Sequence, residues 1–413
     1  MIDAATIMDR CDELAAVSSM RGGIERVYLS PEHARVNALA ARWMAEAGMR
    51  TWQDAAGNQC GRYEGASPGQ PALLLGSHLD TVPDAGRYDG ILGVLLAIGV
   101  VSRLHAAGTR LPFAVEVVAF GDEEGTRFGT ALLGSRALAG TWDPNWWDLE
   151  DAAGTTLVEA FRDFGLDPSR IGTAARDAHD LLAYLEAHIE QGPYLEEADR
   201  ALAVVSSIAG ARRFALTLTG VAGHAGGVPL DRRRDALTGA AEAVLTVERI
   251  ARERSVIATV GRLEVFPGAV NVIPGRVEFS LDLRAETDEQ RDAAWDAIEH
   301  EMFESASRRR LALTVQETHS APAVVASTPL QDIIRAGIQA TGDAEPMVLF
   351  SKAGHDAMAV ADLTEYAMLF LRCEGGVSHH PDENVTEADV ATALDAFEAA
   401  VLALAVKVEA HPS

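Results

Sequence analysis

The sequence predicts an α/β catalytic domain, with a mostly parallel sheet flanked by helices, that carries an inserted α+β domain. The chain has 413 residues, more than one compact core usually holds, so we expect two domains. Apolar strands alternate with helices in the first half, and amphipathic elements replace them near residue 212. We therefore place the catalytic domain at 1–211 and 327–413, and the inserted domain at 212–326.

The elements before residue 212 show the alternation that is typical of a parallel sheet covered by helices. Two amphipathic helices come first, followed by apolar strands that end in acidic side chains and enclose one mostly apolar helix. In chain order these are helices at 3–19 and 31–49, a strand at 71–82, a helix at 90–108, and strands at 112–125 and 181–192.

Residues 212–326 predict a small antiparallel sheet of four strands with two helices on one face. Their strands alternate apolar and polar residues, as half-exposed strands do, and the order of elements is βαββαβ. The predicted elements are a strand at 212–223, a helix at 231–254, two strands within 255–285, a helix at 288–310 and a strand at 311–321. After about residue 326 the pattern returns to helix, loop and helix, which indicates an insertion.

Composition excludes several kinds of partner. The chain has 35 Lys and Arg against 61 Asp and Glu, a formal charge of −26, which disfavours nucleic acid and anionic membrane surfaces. Its three cysteines, Cys11, Cys60 and Cys373, are scattered and favour a reducing compartment. The acidic N-terminal segment does not resemble a signal peptide, and no apolar run could span a bilayer. We therefore expect a cytoplasmic protein.

Histidines and carboxylates cluster where the predicted strands end, and functional crevices of open α/β sheets lie there. Each cluster has an ordinary structural alternative, such as a solvated turn. Together they favour a site for zinc, manganese or cobalt, although the residues alone leave that choice open. The clusters are His78, Asp80 and Asp89; Asp122, Glu123 and Glu124; His188, Glu190 and Gln191; and His379 and His380.

Ten segments spread over the chain carry a more specific signal: GSHLDTV, GRYDGILGV, GDEEGTRFG, LGSRALAG, HIEQGPYLE, GVAGHAGGVP, RRDAL, NVIPG, DLRA and AGHDA. With these motifs the sequence resembles the M20-type metal-dependent amidohydrolases. The similarity is to the branch that contains N-carbamoyl-L-amino-acid hydrolases, allantoate amidohydrolases and β-ureidopropionases. A histidine at position 188, where peptidase relatives carry a carboxylate, favours this ureido branch.

The resemblance implies a site for two divalent metal ions, which could be zinc, manganese, cobalt or nickel. Asp89 is expected to bridge the two ions, and Asp80 to support His78 from behind. The implied ligands are His78, Asp89, Glu124, His188 and His379. His379 is preferred to His380 because the family pattern is Ser-His.

The resemblance also assigns roles to the remaining polar residues. Glu123 is expected to be the general base, and His224 the donor that stabilises the negative tetrahedral oxygen. Arg284 is the implied clamp for a substrate carboxylate, although it could equally be a surface arginine. Further substrate contacts are expected from Gln191, Asn271 and His355. Lys352, before AGHDA, departs from the small residue that the family usually has.

These roles imply two-metal hydrolysis of a linear C–N amide bond in an N-carbamoyl or ureido acid. Substrates of that kind include an N-carbamoyl-L-amino acid and allantoate, and the attacking water is one that the metals activate. The alternatives are an M20 peptidase, an N-acyl-amino-acid hydrolase and a metal-binding scaffold without activity. Relatives dimerise through the inserted domain, so we expect a homodimer in which His224 and Asn271 act on the partner's site.

Overall fold

The computed structural model describes residues 2–410, which form two compact units. The larger unit contains the described residues up to Ser206, the segment Ala326–Leu349, and the described residues from Gly354 on. The smaller unit contains Ser207–Val325 and Phe350–Ala353. Each unit is described by itself. No helix within residues 2–410 is both long and apolar enough to cross a membrane.

The strands are numbered in chain order. They are β1 (Arg50–Gln53), β2 (Gln59–Tyr63), β3 (Ala72–His78), β4 (Ala114–Phe120), β5 (Leu181–Ile189), β6 (Leu202–Ile208), β7 (Gly210–Thr219), β8 (Gly223–His224), β9 (Ile257–Thr259), β10 (Leu263–Phe266), β11 (Val272–Ile273), β12 (Arg276–Ala285), β13 (Ala312–Ala321), β14 (Val324–Val325), β15 (Met347–Ser351) and β16 (Tyr366–Leu371).

The α-helices are numbered in the same way. They are α1 (Ala4–Ala15), α2 (Pro31–Glu46), α3 (Ile91–Ala106), α4 (Leu133–Leu138), α5 (Leu157–Asp163), α6 (Tyr194–Glu197), α7 (Ala236–Arg254), α8 (Asp288–Arg308), α9 (Thr328–Ala340), α10 (Ala357–Val360) and α11 (Glu387–Ala410).

The larger unit is built on a mixed sheet whose central strands are parallel. Strands β4, β3, β5 and β16 lie side by side in that order and run in one direction. The flanking strands β1, β2 and β6 are antiparallel to their neighbours. Every residue of β3 and β4 is buried, as expected when helices cover both faces. The predicted mixed α/β fold with a parallel centre is thus confirmed, and antiparallel edges extend it.

Parallel pairing brings the ends of the central strands together at one edge of the sheet. His78 at the end of β3 is in register with Phe120 at the end of β4. In the same way His188 near the end of β5 is in register with Phe370 of β16. The polar residues that follow these strands therefore start from neighbouring positions.

Gly76 in β3 is a position where the sheet tolerates no side chain. A Cβ there would lie well inside 3.0 Å of the Val118 carbonyl oxygen in β4. We expect Gly76→Ala to lower the free energy of unfolding by about 1–3 kcal/mol, since a buried backbone has to move. Guanidinium denaturation measures this, with Gly172→Ala as the control because a Cβ at Gly172 meets nothing within 4 Å. Equal midpoints for the two variants would contradict the expectation.

The smaller unit contains a five-stranded antiparallel sheet, whereas the sequence predicted four strands. Its order is β10-β12-β7-β13, and β9 also pairs with β12. Strand β10 pairs with the first part of β12 and β9 with the last part, so two short strands share one edge position. The additional strand lies within 255–285, where the sequence predicted two strands and the structure places β9, β10 and β12 in this sheet.

The two long helices of the smaller unit cover one face of this sheet. Alternate residues of β12 are buried, and they form one apolar core with buried residues of β7, α7 and α8. This core therefore explains the alternating pattern of the strands in the sequence.

The segment Phe350–Ala353 belongs to the smaller unit, whereas the prediction placed it, with Lys352, in the catalytic domain at 327–413. Hydrogen bonds within the unit explain this difference. Arg284 Nη1 donates to the Lys352 carbonyl oxygen at 2.8 Å, and the Ala209 amide donates to the Ser351 carbonyl at 2.8 Å.

Candidate metal centre

The carboxyl ends of the central strands carry a buried cluster of histidines and carboxylates. His78 ends β3, His188 lies near the end of β5, and Glu123 and Glu124 follow β4 after a short turn. His379 lies in the loop after β16, and Asp89 in the loop before α3. Parallel strand ends thus bring together residues that are up to about three hundred positions apart in the chain.

Asp89 stands between two sets of possible ligands. Its Oδ1 lies 3.2 Å from His188 Nε2 and 3.8 Å from His78 Nε2. Its Oδ2 lies 3.0 Å from His379 Nε2, which in turn is 3.3 Å from Glu124 Oε1. The two oxygens of one carboxylate therefore face different partners.

Among the described residues, four groups of three could hold a metal ion, and two of these groups share Asp89. One is His78, Asp89 and His188, the other is Asp89, Glu124 and His379, and within each the ligand atoms lie within 4.8 Å of one another. All five residues that the sequence predicted as ligands are thus brought together. Imidazole nitrogens combined with carboxylate oxygens suit zinc, manganese, cobalt or nickel, so these residues fit the metals that the resemblance implies.

Main-chain carbonyls orient the two buried imidazoles. His78 Nδ1 lies 3.1 Å from the Asp80 carbonyl oxygen, and His188 Nδ1 lies 2.9 Å from the Ile189 carbonyl oxygen. Because a carbonyl only accepts, Nδ1 carries the proton in each neutral ring and Nε2 presents its lone pair. This is the tautomer that metal ligation through Nε2 requires.

Asp80 was predicted to support His78, and the structure gives its carboxylate a second set of contacts. Asp80 Oδ1 lies 3.5 Å from His78 Nδ1, further than the Asp80 main-chain oxygen. The same carboxylate accepts hydrogen bonds from the amides of Glu123 and Glu124, each at 3.1 Å. Asp80 therefore connects the loop after β3 to the loop after β4.

Glu123 is buried at the edge of this cluster. Its Oε2 lies 4.0 Å from His78 Nε2. Burial raises the pKa of Glu123 well above its ordinary value, and the charge of Glu124 adds to this effect while His78 opposes it. A carboxylate that binds a proton so readily is suited to general base catalysis.

The cluster is electrostatically negative. Burial alone would raise the pKa of Asp89, but the neighbouring imidazoles of His188 and His379 hold it well below its ordinary value. Contacts with Asp89 and Glu124 raise the pKa of His379 to about 10. Carboxylates that stabilise the positive charge of a neighbouring imidazolium in this way also attract metal cations.

The structure directs His379, and not His380, towards the cluster. The imidazole of His380 turns the other way, where its Nδ1 accepts a hydrogen bond from the Asp382 amide at 3.2 Å. His379 has a backbone φ of 54°, and Asp122 and Gln191 also have positive φ. Such left-handed residues other than glycine often occur at functional sites.

Gln191 was predicted to contact substrate, and in the structure its amide contacts a ligand residue. Its Nε2 lies 2.9 Å from Asp89 Oδ2 and 3.2 Å from Ser378 Oγ. This arrangement helps to hold the Asp89 carboxylate in place, and the predicted substrate contact stays a prediction.

His355, also predicted to contact substrate, is buried against His188. The two ring centroids are 4.4 Å apart in an edge-to-face arrangement, and the ring of Phe370 packs on the other side at 5.9 Å. Only 1% of His355 is exposed. A direct contact with substrate would therefore require this side chain to become accessible.

His224 and Asn271 lie next to each other in the smaller unit. His224 pairs with Val272 in the two-stranded ribbon of β8 and β11, and the Ala225 amide donates to the Asn271 carbonyl at 3.0 Å. The Gly226 amide donates to His224 Nδ1 at 3.1 Å. This places the proton of a neutral ring on Nε2, so an exposed His224 presents an N–H donor.

Arg284 is half-buried in the smaller unit and already holds a carboxylate. Its Nε and Nη2 donate to Asp282 at 2.8 and 3.2 Å, and its Nη1 donates to the Lys352 carbonyl. These contacts use three of the five N–H donors of a guanidinium. A substrate carboxylate would use the other N–H groups or displace Asp282.

Sequence reasoning did not single out two residues of this site, Ser378 and Glu383. Ser378 Oγ lies 3.0 Å from Asp89 Oδ2 and 3.0 Å from Glu383 Oε2. Both residues belong to the segment GGVSHHPDEN, whose density of polar side chains beside His379 was the available signal.

Comparison with known proteins gives consistent matches along the chain. Residues 74–403 match the family model described as peptidase family M20/M25/M40. The chain is 40% identical over 407 residues to the N-carbamoyl-L-amino acid amidohydrolase of Geobacillus stearothermophilus, covering 98% of this chain and 99% of that one. It is 39% identical over 415 residues to a probable allantoate deiminase of Oryza sativa subsp. japonica, covering 92% and 84%.

A solved structure shows the same fold. A crystal structure of a hydantoinase/carbamoylase family amidase from Burkholderia ambifaria aligns with a TM-score of 0.90 and 33% identity, covering 98% of each chain. The similarity in structure therefore extends over nearly the whole chain.

Proposed function

The chain belongs to peptidase family M20/M25/M40 and is a hydrolase of the amidohydrolase type, and from this premise we propose a two-metal hydrolysis of N-carbamoyl or ureido acids. The observation that carries the proposal is Asp89, whose two oxygens face two separate sets of ligands beside the buried carboxylate of Glu123. Relatives named for N-carbamoyl-L-amino acids and for allantoate support the choice of substrate class.

We assign one ion to His78, Asp89 and His188 and a second to Asp89, Glu124 and His379. When bound, such ions polarise a scissile carbonyl and lower the pKa of water towards neutrality. In the chain, main-chain carbonyls orient Nε2 of the two buried histidines, and Asp89 and Glu124 supply two carboxylates whose charge is opposite to that of the ions.

Glu123 acts as the general base in this proposal. Its carboxylate removes a proton from the attacking water as the C–O bond forms, and then delivers that proton to the leaving nitrogen as the C–N bond breaks. With an N-carbamoyl amino acid, cleavage of one C–N bond leaves a carbamic acid. Loss of carbon dioxide from this carbamic acid breaks the second C–N bond, so the final products are the free amino acid, ammonia and carbon dioxide. The hydrogen bond from the Glu123 amide to Asp80 keeps the backbone of the base in place.

The smaller unit supplies the groups that recognise substrate. His224 donates Nε2–H to the negative oxygen of the tetrahedral intermediate, and the guanidinium of Arg284 binds the substrate carboxylate.

In a homodimer His224 and Asn271 serve the site of the partner subunit. Light scattering measures the mass in solution, and a monomer would contradict this assignment of His224 and Asn271.

A substrate panel tests the proposal. Apo-protein is loaded separately with manganese, cobalt, nickel or zinc and assayed on N-carbamoyl-L-amino acids, their D-enantiomers, allantoate, N-acyl amino acids and dipeptides. We expect turnover of carbamoyl or ureido acids that have a free carboxylate, and a large loss when that carboxylate is esterified. Turnover of dipeptides or N-acyl amino acids alone would instead identify a peptidase or an acylase.

A further inference from the structure

Glu383 is a buried carboxylate, 3% exposed, that no step proposed above uses. It lies four residues after His379, in the loop between β16 and α11. Three hydrogen bonds within the larger unit hold it in place, and all three involve the two loops that carry Asp89 and His379.

One oxygen of Glu383 binds the backbone of the Asp89 loop. Glu383 Oε1 accepts from the Tyr88 amide at 2.8 Å and from the Asp89 amide at 3.1 Å. These two amides precede α3, whose N-terminal cap, Gly90, has no side-chain cap hydrogen bond. The carboxylate of Glu383 therefore fixes the backbone from which the shared ligand Asp89 projects.

The other oxygen of Glu383 binds the loop of His379. Glu383 Oε2 lies 3.0 Å from the hydroxyl of Ser378, which is also 3.0 Å from Asp89 Oδ2. Ser378 directly precedes His379, whose backbone is held at a φ of 54°. One side chain thus connects the loop before α3 to the loop after β16 across 294 positions of the chain.

The side chain of Glu383 packs directly against Gly86. A Cβ at Gly86 would lie well inside 3.0 Å of the Glu383 carboxyl carbon. A side chain at Gly86 would therefore push the carboxylate out of its hydrogen bonds.

We propose that Glu383 is a positioning residue that holds the Asp89 loop and the Ser378–His379 loop at the spacing that metal binding requires. The inference rests on the two-metal site proposed above. It assigns Glu383 no contact with substrate or with the reacting atoms. Since outer partners of ligating residues commonly change metal affinity by about 10–100-fold, the loss of Glu383 should weaken metal binding by that factor.

The test measures binding of Mn²⁺ to metal-free full-length protein by titration calorimetry, together with thermal unfolding. We expect Glu383→Ala to raise Kd about 10–100-fold, with the larger change for the ion assigned to Asp89, Glu124 and His379. Asp389→Ala is the matched control. Asp389, in the first turn of α11, is a similarly buried carboxylate that pairs with Arg372 and Thr386 instead of the Asp89 loop or Ser378. This control should lower the unfolding temperature and leave Kd unchanged.

Two further variants separate geometry from charge and from a general loss of structure. Glu383→Gln keeps an oxygen for the two amides and a polar group for Ser378, so it should restore most of the affinity. Gly86→Ala leaves Glu383 in the sequence but displaces it, and should weaken Mn²⁺ binding as Glu383→Ala does.

The possible failures can be told apart. If the unmodified protein bound no Mn²⁺, the proposed two-metal function would itself be wrong. If it bound two ions and Glu383→Ala bound them equally well, only the role of Glu383 would be overturned. A Glu383→Gln variant as weak as Glu383→Ala would also overturn it, because charge would then matter more than position.

Discussion

Replacement of Glu123 by Gln is expected to lower kcat by about 10²–10⁴-fold, the usual range for loss of a general base. The amide has the same shape but cannot remove a proton from the attacking water. The metal content should stay unchanged, because the two groups to which we assign the ions do not include Glu123. The hydrogen bond between the Glu123 amide and Asp80 belongs to the backbone and is retained.

Glu124→Gln is the matched control for this variant, since it changes the neighbouring carboxylate in the same way. Glu124 lies with Asp89 and His379, so we expect this variant to lose metal as well as activity. Metal analysis of both purified variants, together with steady-state kinetics, decides between the roles. Full activity of Glu123→Gln would rule out the proposed mechanism, and loss of metal from Glu123→Gln alone would reverse the two assignments.

Replacement of Asp89 by Asn is expected to remove both metal ions and to lower kcat/KM by at least about 10³-fold. Its carboxylate is shared by both groups, and its two oxygens face His188 and His379 separately. Without the ions, the transition state would lose several kcal/mol of stabilisation. Each 1.4 kcal/mol corresponds to about a factor of ten in rate.

Variants that remove a ligand from only one of the two metal groups test whether the loss of both ions is specific to Asp89. His188→Ala removes a ligand from one group only, and His379→Ala removes one from the other. Each should retain about one ion per chain, whereas Asp89→Asn should retain none under the same conditions. Elemental analysis after reconstitution measures the content, and two ions bound to Asp89→Asn would show that Asp89 is not the shared ligand.

The sequence alone predicted the α/β class, because apolar strands and helices have periods that can be recognised locally. Through the resemblance of its motifs to the M20 family, it also singled out His78, Asp89, Glu124, His188 and His379. The edges of the sheets were less predictable. Strands β9 and β10 share one edge position along β12, and this depends on pairing between distant segments and not on local pattern.

Contacts between distant residues decided the rest of the site. The sequence suggested that the Asp80 carboxylate supports His78, but only the folded chain shows it accepting from the amides of Glu123 and Glu124. The position of Glu383 between two ligand loops was likewise invisible, because it depends on hydrogen bonds to residues 294 and 295 positions away.

The sequence by itself therefore determined which elements form and which residue types could bind metal. Local propensity and side-chain chemistry are properties of short segments, and a single sequence contains them in full. Only the tertiary structure decided the distances at which Asp89, which the resemblance implied as the bridge, faces both sets of ligands, and that Glu383 supports its loop. Parallel pairing of β4, β3, β5 and β16 brings their ends to one edge of the sheet, and distances there depend on the whole packed fold.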